Sequence, residues 1–438
     1  MRRALATGLT LAAAVAAGCA ERLTAPGQCP DFCPGGEIAV VDTILRDVVI
    51  DDSAFRGYVR PHEAGRLLVA SLPSIESRAL VLTTSIATTY TFAPDTTRNP
   101  IVGVDSVRLQ LIMRPDTQPL RNLQLHLHRV PRTIDSSTTY GDVAPSFSDS
   151  LVRSISLDSL LALPEQEDTL LDANVRRDSV TGDYLRVDTT SQQIILNLKL
   201  DSAQVPLVEA DSGRLGLGVR ITADSLASTV LGSRESLAGM SVTWYLQVDS
   251  LQLDTVPRSA VAGTGFDSFV FDPPPAPIDS TLAVGGMPVA RSLLRFALPP
   301  AIRDSAQIVR ATLVLVPDQP PQGVPADSFV VAARRVLSDL GAKSPLAPLF
   351  AGDSSAVGTS WVRIGSTDTL RIGVTQMLRL WAADTTVPAA VMLQQSTAAT
   401  AVLEGLSLVE IRFRPASDTA FRPALHLTYV PRFRFGVP

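Results

Sequence analysis

Apolar side chains recur at every second position in short segments along most of this chain. Leu109, Leu111 and Met113 alternate with Arg108, Gln110 and Ile112, and Leu123, Leu125 and Leu127 alternate with Gln124, His126 and His128. Near the end, Leu425, Leu427 and Tyr429 alternate with His426 and Thr428. A period of two buries one face of a segment and wets the other, as in the strands of antiparallel sandwiches. Asp-Ser and Asp-Thr pairs, prolines and glycines punctuate these segments and read as turns and strand ends. Helical spacing is confined to Val374, Met377, Leu378 and Trp381, and to Leu157, Leu160, Leu161 and Leu163. The pattern predicts an all-β chain with minor helix.

The segments also repeat. Arg66 to Pro73 echoes Ser292 to Pro299, Ser106 to Leu111 echoes Ile308 to Leu313, and Leu123 to Val130 echoes Phe329 to Val336. The order is kept while the offset drifts, which fits two homologous sandwiches with loops of different length. The expected division is a β-sandwich over 39–255, with an extra segment around 77–103, and a second over 256–438. The boundary is placed near residues 255 to 262.

The second half carries Asp267-Ser268-Phe269-Val270-Phe271, then Leu282-Ala283-Val284-Gly285-Gly286, then Arg291-Ser292-Leu293-Leu294-Arg295-Phe296. Ala311 to Leu315, Ile372 to Thr375 leading to Trp381, and Arg422 to Tyr429 continue the series. Over residues 265–431 this resembles the DNRLRE-type β-sandwich modules, with a faded version in the first half, where Val69 and Ala70 replace Arg295 and Phe296. The resemblance implies two tandem antiparallel jelly-roll-like sandwiches of the kind found in secreted and cell-surface proteins, some relatives being classed as carbohydrate-binding. The matching residues are those of strand faces and a closing strand, so the resemblance implies a fold and transfers no binding site.

The N-terminus adds an address. Arg2 and Arg3 precede an apolar run from Leu5 to Ala17, which ends in Ala16-Ala17-Gly18-Cys19. The run is shorter than the roughly 20 residues that span a bilayer, and reads as a cleaved signal over 1–18. Small residues before a cysteine resemble a bacterial lipobox, which makes Cys19 the expected lipidation site and new N-terminus. A plain secretory signal with an incidental cysteine is the alternative. Ala20 and Glu21 favour the outer membrane. Residues 19–38, with Pro26, Pro30 and Pro34 among glycines, read as a flexible tether. Cys29 and Cys33 remain as an even pair, candidates for a small disulfide loop outside the cytoplasm. A metal at that pair would need two more ligands, and no histidine lies near.

Composition narrows the function. Hydrophobic residues make up 45% of the chain and charged ones 18%, so it is globular and not disordered. The net charge of −5 is mild, and no basic stripe offers a nucleic-acid surface. No Gly-x-Ser-x-Gly elbow occurs. Gly352-Asp353-Ser354 resembles the opening of one lipase family, but Pro423 stands where the late Asp-x-x-His would start. Gly216-Leu217-Gly218 lacks the third glycine of a dinucleotide loop. His126 and His128 share a strand face and could chelate a metal, although two polar residues on a wet face explain them as well. His62 and His426 are isolated. No cofactor is called for; structural calcium is a weaker candidate at Asp51, Asp52 and Asp272, without an Asp-x-Asp-x-Asp-Gly loop.

Sugar binding uses exposed aromatic faces, and only 5% of residues are aromatic. Trp244 and Trp381 lie in patterns that bury them. Trp361 is the candidate ligand contact, with core packing as its rival. The expectation is a non-enzymatic lipoprotein of the cell envelope, acting as a structural or interaction module on another envelope protein. Capture of polysaccharide is the alternative, and a hydrolase with an unrecognised site the second alternative.

Overall fold

The computed structural model describes residues 40–73, 75–91, 97–115, 121–169, 171–191, 193–201, 204, 213–249, 258–278, 281–321, 328–349, 352–396, 404–405 and 407–431. The signal, the tether and all three cysteines lie outside them. Among the described residues no helix is long and apolar enough to cross a membrane.

In chain order the strands of the first half are β1 (Val41–Leu45), β2 (Val49–Arg56), β3 (Arg66–Leu72), β4 (Ile75–Thr83) and β5 (Thr89–Thr91). Next come β6 (Arg98–Pro115), β7 (Gln124–Arg129), β8 (Leu151–Ser156), β9 (Glu165–Asp168) and β10 (Ala173–Arg177). The half closes with β11 (Tyr184–Asp188), β12 (Gln193–Asp201), β13 (Gly216–Thr222), β14 (Ala227–Gly232) and β15 (Ser241–Val248). The second half has β16 (Ser259–Ala262), β17 (Thr264–Asp272), β18 (Leu282–Gly285), β19 (Ala290–Phe296), β20 (Ala306–Leu315) and β21 (Ser328–Arg335). It ends with β22 (Val357–Arg363), β23 (Leu370–Gly373), β24 (Ala390–Ser396), β25 (Glu410–Phe413) and β26 (Ala424–Pro431). The helices are α1 (Tyr140–Asp149), α2 (Leu157–Leu161), α3 (Pro300–Arg303) and α4 (Thr375–Ala383). The fold is all-β, with every strand pairing antiparallel, and α2 and α4 sit where helical spacing placed them.

The two halves match strand for strand. One sheet runs β8-β7-β13-β4 with β17 beyond β4, and its counterpart runs β22-β21-β24-β19 with β2 beyond β19. The facing sheets run β16-β15-β6-β12, extended by β11, β10 and β9, and β1-β26-β20-β23. At one corner β14 pairs with both β3 and β6 and joins the two sheets. The matching corner has β25 beside β18, with Phe413 bridging Pro317 just past β20.

This matching corrects two expectations. The structural equivalents of β18 and β19 are β3 and β4, so Ser77, not a residue near Arg66, stands where Ser292 stands. The contiguous boundary also fails, because the first two strands of each half are exchanged. β1 and β2 pair with β26 and β19 in the C-terminal sandwich. β16 and β17 pair with β15 and β4 in the N-terminal one. Core composition follows: Phe269 of β17 is buried with Val81, Leu111, Leu127 and Trp244. Val49 of β2 is buried with Leu294, Leu313, Trp381 and Leu427. Each such side chain stabilises the opposite sandwich by about 1.5–3 kcal/mol. Polar contacts fix β1 in the same way, since Thr428 Oγ1 donates to Asp42 at 2.8 Å and His426 Nε2 lies 3.0 Å from the same carboxylate.

Helix α1 was not expected from the sequence. Its start is fixed by Asp142, whose carboxylate accepts from both the backbone N–H and the hydroxyl of Thr139, the acidic arm of a capping box. Val143 and Phe147, four apart, then bury one face against Leu80, Leu82, Val130 and Val270 on the outer side of the β4 sheet.

Candidate functional site

The exchange places a seam between the sandwiches, and charged groups gather along it. Arg56, the last residue of β2, forms an ion pair with Glu410 of β25 at 2.7 Å and donates to the Pro288 carbonyl at 3.1 Å. Arg412 holds the other carboxylate oxygen of Glu410 at 2.7 Å, and its remaining nitrogens donate to the Ala276 and Pro277 carbonyls. Gly286, at φ +68°, makes room for that carboxylate, since a Cβ there would come within 2.6 Å of Glu410 Oε2. Beside the clamp opens a cleft of about 190 Å³, with Ile75, Phe271, Pro274, Met287 and Leu408 as its apolar wall.

A second cluster fixes the connection out of β2. Val289 accepts from the N–H groups of Gly57 and Tyr58 at 2.9 and 3.2 Å and donates to Val59 at 2.9 Å. The Tyr58 hydroxyl donates to Ala342 at 2.6 Å, while Arg291 stacks its guanidinium 4.1 Å above the Tyr58 ring. Glu404 grips Arg291 through two oxygens, at 2.9 and 2.5 Å. Burial pushes the Tyr58 hydroxyl above its ordinary pKa, so it stays a neutral donor.

On the outer face of the β4 sheet, Glu76 receives Tyr140 at 2.8 Å, Arg78 at 3.1 Å and Arg220 at 2.9 Å. Burial pushes the Glu76 carboxyl up, but the Tyr140 hydroxyl and the two guanidiniums outweigh it and hold it below the usual range. Tyr140, buried and bonded to that carboxylate, is pushed up to about 12. His126 has both ring nitrogens in use, at 2.8 Å from Ser154 Oγ and 2.8 Å from Thr222 Oγ1. His128 lies beneath α1, its ring 4.9 Å from Phe147. It is only 4% exposed, which corrects its reading as a residue of a wet face. Burial lowers both imidazole pKa values, so both rings are neutral at pH 7. This network braces α1 on the sheet.

The other sequence candidates fall as follows. Trp244 and Trp381 are buried. Trp361 is 60% exposed on β22, the terminal strand of its sheet, while its neighbour Val362 points into the core. Asp51 pairs with Arg295 at 2.5 Å and Asp52 accepts from the Ala416 N–H at 2.5 Å, so these two of the three calcium candidates have protein partners. Asp272 pairs in register with Glu76 at the end of β17. Among the described residues no group of three or more His, Cys, Asp or Glu is arranged to hold a metal. Cys19, Cys29 and Cys33 lie outside the described residues.

No family model and no curated protein matches the chain. Among solved structures, the N-terminal CBM22-1–CBM22-2 tandem domain of Paenibacillus barcinonensis Xyn10C is 8% identical, over 91% of this chain and 100% of that one, with a TM-score of 0.13. A TM-score that low does not establish a common fold. What the chain itself presents is an all-β scaffold of two matched sandwiches, an exposed tryptophan, and charge clusters occupied by their own partners.

Proposed function

We propose that this protein is an exported lipoprotein, acylated at Cys19 in the bacterial outer membrane, whose two sandwiches act as a non-enzymatic structural or interaction module. The observation that carries the reading is the exchange of β1–β2 against β16–β17. The chain therefore crosses between the sandwiches twice, after β2 and after β17, where a single linker would leave them freer to reorient. A fixed pair of rigid bodies suits holding two surfaces at a set spacing. Support for the address comes from Arg2, Arg3, the apolar run to Ala17 and Cys19. Membrane fractionation of wild type and Cys19→Ser tests it: the wild type should sediment with outer membrane and the variant should be released. A wild type found in the soluble fraction would sink the anchoring.

Capture of polysaccharide is the second reading, and one observation favours it. Trp361 stands exposed on the terminal strand of its sheet, and exposed indole faces stack on sugar rings. Its neighbours Thr359 and Arg363, two positions away on the same strand face, supply polar contacts. Polysaccharide pull-down should then show saturable binding that Trp361→Ala abolishes without loss of stability. Equal binding by wild type and variant would remove the glycan reading and leave the protein-interaction one.

A further inference from the structure

The outer face of the large N-terminal sheet carries unassigned chemistry. Leu109, Leu185, Leu196, Leu198 and Val242 turn into the core, so the residues that alternate with them point outward. Register sets Thr243, Arg108 and Lys199 side by side across β15, β6 and β12. Two residues along, Gln110, Asn197, Tyr184 and Arg177 form the next row, which ends on β10. Arg108 leaves its own row. Its guanidinium lies 5.1 Å from the Tyr184 ring, two strands away, so the side chain reaches across β12 beside Asn197. Arg177 meets the same ring from β10 at 4.8 Å.

The two guanidiniums differ in their partners. Arg177 is neutralised by Asp168. Among the described residues Arg108 has no acidic partner, and its Nη1 is buried without a hydrogen bond. Asn197 is 5% exposed, and its carboxamide has no hydrogen-bond partner among the described residues either. Lys199 stands exposed beside both, its ammonium free of ion pairs among the described residues. Asp201, two positions further along β12, accepts from the Gln204 N–H at 2.8 Å. The C-terminal half supplies the contrast. On its matching outer face His426 and Thr428 both meet the Asp42 carboxylate, and β9, β10 and β11 have no counterpart there. A buried guanidinium nitrogen and a buried carboxamide without partners cost free energy until a ligand satisfies them. The fork of Arg108 matches the paired oxygens of a carboxylate or phosphate, Lys199 adds charge, and Asn197 Nδ2 adds a neutral donor.

We propose that this face binds a small oxyanion, a carboxylate or phosphate group, at Arg108, Asn197 and Lys199. The site is separate from Trp361 and from the lipid anchor, so it stands or falls independently of the proposed function.

Isothermal titration of the full chain with inorganic phosphate and with acetate, at constant ionic strength and against neutral acetamide, tests the proposal. At least one oxyanion should bind saturably and acetamide should not. Phosphate alone would assign a phosphate group, and acetate alone a carboxylate. Arg108→Gln should weaken binding by at least about tenfold. Lys343→Gln, at the only other lysine of the chain, should leave it unchanged. Asn197→Asp places a carboxylate beside Arg108 and Lys199; it should raise Tm and abolish oxyanion binding. That variant keeps the test decisive even if Arg108→Gln is poorly folded. Absence of phosphate and acetate binding to the wild type would overturn the proposal, as would wild-type affinity in folded Arg108→Gln or in Asn197→Asp.

Discussion

Ser77 and Ser292 make the same hydrogen bond in the two halves of the molecule. Ser77 Oγ donates to the Leu68 carbonyl at 2.7 Å and Ser292 Oγ to the Ala283 carbonyl at 2.8 Å, each nine residues back. Both serines are completely buried. Each ties the strand that receives an exchanged neighbour, β4 or β19, to the strand before it. Replacing either by alanine removes the donor inside a dry core, which costs about 1–3 kcal/mol. The two sites share no partner, so the double variant should lose the sum of the single losses. Urea midpoints of the two single variants and the double variant check this; a marked shortfall in the double would mean that the halves are coupled at these sites.

The exchange makes a sharper prediction. Cut between Asp249 and Arg258, the N-terminal fragment would lack β16 and β17 and retain β1 and β2 with no sheet of their own to join. Unpaired edges at β4 and β15 would expose backbone and apolar surface to association. Each fragment expressed alone should be unfolded or aggregated, and the two co-expressed should purify together as one complex. Size-exclusion chromatography decides the matter. Two well-folded monomeric fragments would show that each half can complete itself without the other.

Sequence reading reached the strands and missed the exchange for the same reason. Alternation shows that Leu109, Leu111 and Leu127 face a core, and they do, but it does not say which core. Asp52-Ser53-Ala54-Phe55 of β2 and Asp267-Ser268-Phe269-Val270 of β17 carry closely similar openings, so the pattern alone does not assign either strand to a sheet. The path of residues 57–65 out of β2 is fixed by distant contacts such as Tyr58 with Ala342, which no local pattern reveals. Helix α1 was hidden by Gly141 and Pro145, which read as breakers although Pro145 is tolerated between Val143 and Phe147. Without that helix His128 looks solvated. Trp244 and Trp381 were legible because each shares its face with other apolar residues.

Arg291 and Glu404 offer a test of the seam. Glu404 is 5% exposed at its side chain and Arg291 21%, and the guanidinium is also stacked on Tyr58. Removing one partner of a largely buried pair leaves the other charge without compensation, at about 3 kcal/mol. Glu404→Ala should therefore destabilise the protein by that order. Asp418→Ala, at the more exposed pair with Arg414 3.8 Å away, should cost no more than about 1 kcal/mol. Similar losses in the two variants, measured by chemical denaturation, would mean that Glu404 is solvated in solution.

Asp267 makes stability depend on pH in an unusual direction. It lies on the exchanged strand β17, is 2% exposed, and one carboxylate oxygen accepts from the Arg234 N–H at 2.8 Å. Burial pushes its pKa up from 3.8 to about 7, the Arg234 N–H opposing and the nearby Glu235 reinforcing the shift. Between those two values the folded state holds a proton that the unfolded chain has released, so folding is favoured at the acidic end. As pH rises through that window the favourable term fades, and above about 7 the folded protein carries the full penalty of a buried charge. The well-paired carboxylates elsewhere, such as Asp339 held low by Arg295, work in the opposite sense at lower pH. Asp267→Asn keeps a carbonyl oxygen for Arg234 N–H and removes the titration. Comparing urea midpoints at pH 5 and pH 8, the wild type should lose more stability on going to pH 8 than the variant, and the variant should be the more stable of the two at pH 8. Parallel pH profiles for the two proteins would show that the carboxyl ionises freely, and that β17 is held by its apolar face and backbone ladder alone.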